Sequence, residues 1–434
     1  MTIYEEVCAL AEGQEEAIRA MRRDLHRYPE LGWFEIRTTS IIADRLTKLG
    51  YEVLTGRDVC KADSRMGVPS QQKLDAEYAR AIAQGAIQPY ADRAKDGFTG
   101  AIGILHCGEG PVIAMRFDID ALPVVEENGN SHRPTAEGFR SVNEGVMHAC
   151  GHDGHISMGL AVAEILAKLK DRLHGTVKLV FQPAEEGVRG AKSIADSGIL
   201  DDVDYILGNH MGNGKDGIIT GSAGTTMATT KLDCIFHGTA AHAGLTPEKG
   251  ANAMLAAATA VLNIHAMPRH SGGDSRVNVG TLHAGTGRNV VCDIATLEIE
   301  VRGASTEVND YLVDYTRRIV CGAAEMHGCT CEVKLVGAAE SLYSDMDLLL
   351  RTLDVAEKKM GLAVLPPRAS VGASEDMAYL VNRVRACGGK GVYFNTLSAC
   401  AGPFHSKGFD FLEEDVILGV KTFCGVTLDL MGIA

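Results

Sequence analysis

The chain has 434 residues, more than one ordinary hydrophobic core accommodates, and two domains are expected. Its 42 basic and 56 acidic side chains leave a formal charge of −14, which argues against a nucleic acid or an anionic membrane as the main partner. No apolar run is long enough to span a membrane, Met1–Glu6 lacks a basic-then-apolar leader, and the twelve scattered cysteines suit reduced thiols, so a cytoplasmic protein is expected.

Apolar positions recur at helical spacing over residues 5–27, predicting one amphipathic helix, and again over 36–49, where Gly50 stops the next. Residues 59–96 are charged and polar, with a helical stretch at 73–83. A disordered loop and a partly ordered insertion over the mouth of the site both stay open there. A buried strand runs over 112–117 and ends in Asp118-Ile119-Asp120. The stretch Met147-His148-Ala149-Cys150-Gly151-His152-Asp153-Gly154-His155 precedes a helix at 156–169. A strand at 177–181 leads to Gln182-Pro183-Ala184-Glu185-Glu186-Gly187 and a further helix, and a strand at 205–208 leads into His210. A strand at 391–394 comes before Pro403-Phe404-His405, and a helix at 412–430 closes the chain.

Between residues 231 and 335 the order becomes strand, helix, strand, strand, helix, strand, with Thr296–Val301 alternating cleanly, which is the ferredoxin-like sequence of elements. The expected fold is therefore α/β. A catalytic domain with a mostly parallel sheet comprises residues 1–224 and 337–434, and a ferredoxin-like lid or dimerisation domain is inserted at 225–336.

Ligands of such a sheet bind beyond the carboxyl ends of its strands, where the histidine, cysteine and glutamate groups fall. Cys150, His152, Glu186, His210 and His405 make five candidate metal ligands. One catalytic metal needs about three, so five suit two divalent cations, Mn²⁺ or Zn²⁺, about 3.5–4 Å apart. Glu185, turned differently from Glu186, is the candidate proton shuttle. Asp120 is expected to fix the tautomer of a ligand histidine, and His148 and His155 to support the site without touching a metal. A competing reading pairs Cys150 as nucleophile with His152, but it leaves Glu186, His210 and His405 without a role.

The chain resembles the M20 metallopeptidase family, in the amidohydrolase branch that holds hippurate and indole-acetyl-amino-acid hydrolases. The matching pieces are Arg23–Gly32, Met115–Pro123, His148–His155, Gln182–Gly187 and Ser374-Glu375-Asp376, in the family's order. The resemblance implies that Cys150, His152, Glu186, His210 and His405 hold the metals and that Glu185 is the general base. It also implies that His242, Asn289 and Arg302 bind the substrate's carboxylate and the developing oxyanion, a role that suits a bidentate guanidinium. The sequence departs from the family after Asn289, where Val290-Val291-Cys292 replaces a common proline. The long 59–96 insertion and Gly280–Asn289 resemble the aminobenzoyl-glutamate-cleaving members. That likeness implies hydrolysis of p-aminobenzoyl-glutamate to p-aminobenzoate and glutamate, and a dimer formed with itself or with a homologous subunit. The alternatives are another N-acyl amino acid as substrate, hippurate-like or N-acetylated, and a non-catalytic partner subunit.

Overall fold

The computed structural model describes residues 1–212, 214, 217–368 and 374–433. Strands β1 (Glu52–Thr55), β2 (Ala101–His106), β3 (Val112–Asp118), β4 (Thr176–Gln182), β5 (Tyr205–Met211) and β6 (Ile218–Gly221) come first. Strands β7 (Ala228–His237), β8 (Ser275–Ala284), β9 (Ile294–Gly303) and β10 (Thr330–Ala339) follow, then β11 (Ala363–Val364) and β12 (Lys390–Leu397). The chain divides into two compact units. One holds Met1–Gly224, resumes at Tyr343 and continues from Asp376, and the other holds Thr225–Leu342 together with Ser374 and Glu375.

The first unit is built on an eight-stranded sheet in the order β1-β2-β4-β3-β5-β12-β6-β11. Its centre, β4-β3-β5-β12, is parallel, while β1, β2 and β6 pair antiparallel at the flanks. The parallel strands are buried along most of their length, as strands covered on both faces must be. The register Asp118↔Gln182 brings the carboxyl ends of β3 and β4 level, and His210 lies on β5 opposite Asn395. The helix His152–Lys168 is apolar on nearly every side and buried along most of its length.

Three local expectations change. The single helix over 5–27 is two helices, Ile3–Glu12 and Glu15–Arg27, because Gly13 caps the first before the second begins. The helix after the cysteine-histidine stretch starts at His152 itself. No helix follows the two glutamates directly: residues 185–188 form a turn, and the next helix is the short Ala191–Ala195.

The second unit is a four-stranded antiparallel sheet in the order β10-β7-β9-β8, carrying the helices Ala253–Ala266 and Thr306–Met326. The alternating burial along β9 reflects one face packed on a core of Leu232, Phe236, Leu297 and Leu312.

The 59–96 segment is ordered and tied down. Its helix Gln71–Ala83 contributes Ala81 to a small core with Ile36, Ala91 and Ala94, and Arg37 Nε donates to the Gln84 carbonyl at 2.9 Å.

Candidate metal centre

Gly151 turns the chain from Cys150 into the helix that starts at His152, with φ of 86°, a left-handed conformation that a side chain would resist. Cys150 and His152 therefore face one place from consecutive turns of backbone. His152 donates from Nδ1 to the Asp120 carbonyl at 2.8 Å, which leaves Nε2 as the free lone pair. His210 donates from Nδ1 to the Met211 carbonyl at 2.8 Å, and its Nε2 stands 3.5 Å from Cys150 Sγ. The backbone N–H of His405 donates to the Ala149 carbonyl at 2.8 Å, bringing that ring beside Cys150, with Nε2 3.5 Å from Glu186 Oε1. Glu185 Oε2 is 3.9 Å from His152 Nε2.

Donor atoms of Cys150, His152 and His210 lie within 4.8 Å of one another, as do those of Cys150, Glu186 and His405, and those of His152, Glu185 and Glu186. The five predicted ligands and Glu185 thus meet in one cluster assembled from four separate segments. The cluster fits a pair of cations by its own bonding: His152 Nε2 and Glu186 Oε1 are buried with no hydrogen-bond partner. An unpartnered imidazole nitrogen and an unpartnered carboxylate oxygen, gathered with a thiol and further imidazoles, are a coordination shell in composition.

The electrostatics agree. Burial pushes the Cys150 thiol up, and Glu186 adds to the effect, so its thiolate needs a positive charge nearby. Burial drives His210 down to about 3 and so keeps it neutral, the state a ligand requires. Glu186 is pushed up to about 7 by burial, with Asp120 adding repulsion. Burial opposes a charge on His152, but Asp118, Asp120 and Cys150 together outweigh it and raise the group, so the field at its ring favours a cation.

Asp120 acts differently from the expectation. Its backbone carbonyl, rather than its carboxylate, sets the His152 tautomer. The carboxylate accepts the backbone N–H of Glu185 at 3.0 Å and of Glu186 at 2.9 Å. His155 binds Asp118 through Nδ1 and accepts the Met211 N–H at Nε2, so both nitrogens are engaged away from the cluster. His148 is buried with neither ring nitrogen partnered, and burial holds it down at about 3.

Three groups hold the turn that bears the glutamates, of which only Asp376 lies in a motif singled out from the sequence, and there without a role. Glu35, buried, accepts from the Ala184 N–H at 2.7 Å and the Thr99 hydroxyl at 2.6 Å. Asp376 accepts from the N–H groups of Gly190 and Ala191. Arg189 Nε donates to the Glu186 carbonyl at 3.0 Å. For Glu35 and Arg189 the only sequence signal is a charged residue inside the otherwise apolar Trp33-Phe34-Glu35-Ile36 run and another just after the glutamates. A fourth group joins Arg22, fully buried, to Asp153 at 2.8 Å, Asp410 at 2.7 Å and Glu413 at 3.2 Å, and so fastens the segment after His405 to the helix of His152.

Within the second unit, His242 and Asn289 come together: residue 242 bridges Val290, and the Ala243 N–H donates to the Asn289 carbonyl at 3.1 Å. His242 Nδ1 accepts the N–H groups of Gly244 and Leu245, so the local turn fixes its tautomer without the family's proline. Arg302 lies near the far end of β9, eight positions beyond Ile294 (302 − 294), a length of about 27 Å along an extended strand. One copy of the unit does not gather all three, and Arg302 Nη2 is paired with Glu300 at 3.0 Å.

A profile of peptidase family M20/M25/M40 matches residues 114–429. The indole-3-acetyl-aspartic acid hydrolase of Enterobacter agglomerans is 43% identical, covering 94% of both chains. One of the subunits of the p-aminobenzoyl-glutamate hydrolase of Escherichia coli (strain K12) is 44% identical over the same shares. Among solved structures, an aminobenzoyl-glutamate utilization protein from Klebsiella pneumoniae superposes with a TM-score of 0.83 at 37% identity, covering 96% of this chain and 97% of that one. A dinuclear metal-binding M20 peptidase from Bacillus subtilis gives 0.67 at 25% identity, covering 98% and 100%.

Proposed function

This chain belongs to peptidase family M20/M25/M40 and is a metal-dependent amidohydrolase, and we propose that its substrate is p-aminobenzoyl-glutamate, cleaved to p-aminobenzoate and glutamate. In this reading Cys150, His152, Glu186, His210 and His405 hold two divalent cations, and the observation that carries it is the single cluster of their donor atoms with buried lone pairs left over. A bound pair of cations supplies Lewis acidity to the scissile carbonyl and lowers the pKa of the attacking water. Zn²⁺ suits the thiolate, and Mn²⁺ suits the imidazole and carboxylate donors.

Glu185 is the group that moves the proton. Its carboxylate stands 3.9 Å from the His152 ring, and Asp120 fixes its backbone. It takes a proton from water and delivers it to the departing amide nitrogen. Arg302 receives a substrate carboxylate, exchanging Glu300 for it, and His242 with Asn289 serves the developing oxyanion. Because the length of β9 separates these groups within one chain, a dimer in which two copies contribute jointly is the arrangement in which one substrate meets all three. The exposed apolar side chains Leu255 and Leu262 on the helix Ala253–Ala266 support association through that unit. The partner is a second copy or a homologous subunit, since the Escherichia coli relative is named as one subunit of its hydrolase. All twelve cysteines are free thiols, which supports a reducing, cytoplasmic setting, and no helix among the described residues is long and apolar enough to cross a membrane.

Metal analysis and hydrolysis assays on Glu185→Ala test the reading. About two cations per chain should remain while turnover of p-aminobenzoyl-glutamate falls by about 10³-fold or more. Normal turnover in that variant would remove Glu185 from the mechanism, and cleavage of hippurate in preference to p-aminobenzoyl-glutamate would reassign the substrate.

A further inference from the structure

The turn bearing Glu185 and Glu186 is bracketed by two strained residues, Ala184 at φ 50° and Val188 at φ 59°, the second a β-branched residue in a region such side chains avoid. Strain of this kind persists only where surrounding contacts over-determine it. Asp120, Glu35 and Asp376 supply part of that constraint from the sheet side.

The remaining constraint comes from the ordered insertion. Arg189 grips the Glu186 carbonyl through Nε and reaches the Gly67 carbonyl with Nη1 at 3.5 Å. The Lys61 N–H donates to the Ser193 carbonyl at 2.9 Å, and the Ser64 hydroxyl donates to Asp196 at 2.6 Å, pinning the stretch beyond the turn. Trp33, two residues from Glu35, donates from Nε1 to the Met66 carbonyl at 2.8 Å. The insertion in turn is clasped by Arg65. Its Nη1 donates to the carbonyls of Asp96 and Gly97, both at 2.9 Å, and its guanidinium lies 3.6 Å from the centre of the Phe98 ring.

We propose that the 59–96 insertion is a brace that fixes the turn of Glu185 and Glu186, with Arg189 as the positioning residue that transmits it. The inference rests on the reading of those glutamates as proton carrier and metal ligand. A guanidinium can hold two separated carbonyls from the different nitrogens of a rigid planar fork, whereas a lysine offers its donors from one nitrogen on a flexible stem. A displacement of the base by about 1 Å is enough to lower turnover by about 10²-fold without changing substrate affinity.

Four full-length variants test it: Arg189→Met, Arg189→Lys, Arg65→Met and the double Arg65→Met/Arg189→Met. Amide hydrogen exchange is measured after treatment with chelator, and kcat and KM with Zn²⁺ or Mn²⁺ restored. Arg189→Met and Arg65→Met should each speed exchange of the 184–188 peptide by about tenfold, with β3–β5 unchanged. Turnover should drop about 10–100-fold with KM within about twofold, Arg189→Lys should recover part of it, and the double variant should be no worse than Arg189→Met alone. Exchange unchanged in both single variants overturns the proposal, as does a rise in KM at constant kcat, which would make Arg189 a substrate contact, or strict additivity in the double variant. The exchange readout needs no substrate, so a wrong substrate assignment is recognised separately.

Discussion

His152 and His210 stand on a helix start and a strand, whereas Glu186 and His405 stand on turns whose backbones enter the left-handed region at Ala184, Val188 and His405 itself. The two histidines on regular structure have their tautomers set by a neighbouring carbonyl, a bond that costs the fold nothing beyond the element already formed. The two ligands on turns depend on charges brought from distant segments: Asp120, Glu35 and Asp376 around Glu186, and Arg22 with Arg133 acting through Asp410 on the segment after His405. The contrast teaches that half of this site is oriented by backbone carbonyls and half by buried charges from distant segments. The two halves should therefore fail in different ways.

The strongest attempt to separate them is Arg22→Met. It leaves Asp153, Asp410 and Glu413 buried without their shared cation, and should lower stability by about 3–5 kcal/mol in thermal or denaturant unfolding. Burial opposes ionisation of Asp410 and Glu413, but Arg22 with Arg133 and His26 together outweigh it at the first, and Arg23 with Arg22 and Arg133 at the second, so both carboxyls sit below their ordinary values. Groups depressed in the folded state give stability that is complete above the unfolded pKa, about 4 to 4.5, and is lost as pH falls through the folded value. The stability gap between wild type and variant should thus be widest at neutral pH and narrow below about pH 4; a gap independent of pH would contradict the assignment.

Asp120→Asn comes next. The amide group cannot accept both N–H groups as the carboxylate does, while the residue 120 carbonyl still orients His152. Turnover should fall by about 10²-fold. Dialysis should strip metal from the Glu186 and His405 side more readily than from the side of His210, read as one cation lost before the other. Equal loss of both would merge the two halves. The smallest effect is expected of Ala184→Gly, which relieves left-handed strain and should change stability by no more than about 1 kcal/mol. Turnover should hold within about threefold, because the carboxylates still grip the turn. A larger fall would show that the side chain of residue 184 itself sets the glutamates.

The same division explains what could be read from the sequence. Cys150, His152, Glu186, His210 and His405 were legible because each follows or ends an apolar run and carries a side chain with few other reasons to be there. The ferredoxin-like unit was legible because its strands alternate over ten residues and its helices are long. The flanking strands β1, β6 and β11, of four, four and two residues, are too short to show a period. Glu35 was invisible, and Asp376 stood in a recognised motif without a role, because their partners lie 149 and 185 positions away and nothing local in either neighbourhood demands a carboxylate. Asp120 lies beside His152, and the division of labour between its carbonyl and its carboxylate is a matter of backbone path. The insertion, open between disorder and order in the sequence, is decided by tertiary contacts such as Arg37 with Gln84 and Trp33 with Met66.

The most direct test of the whole account is anomalous diffraction from crystals grown with Mn²⁺ or Zn²⁺. Two peaks about 3.5–4 Å apart, with Cys150, His152, Glu186, His210 and His405 as their protein ligands, are predicted. A single peak, or peaks bound by other side chains while these five stay uncoordinated, would contradict it.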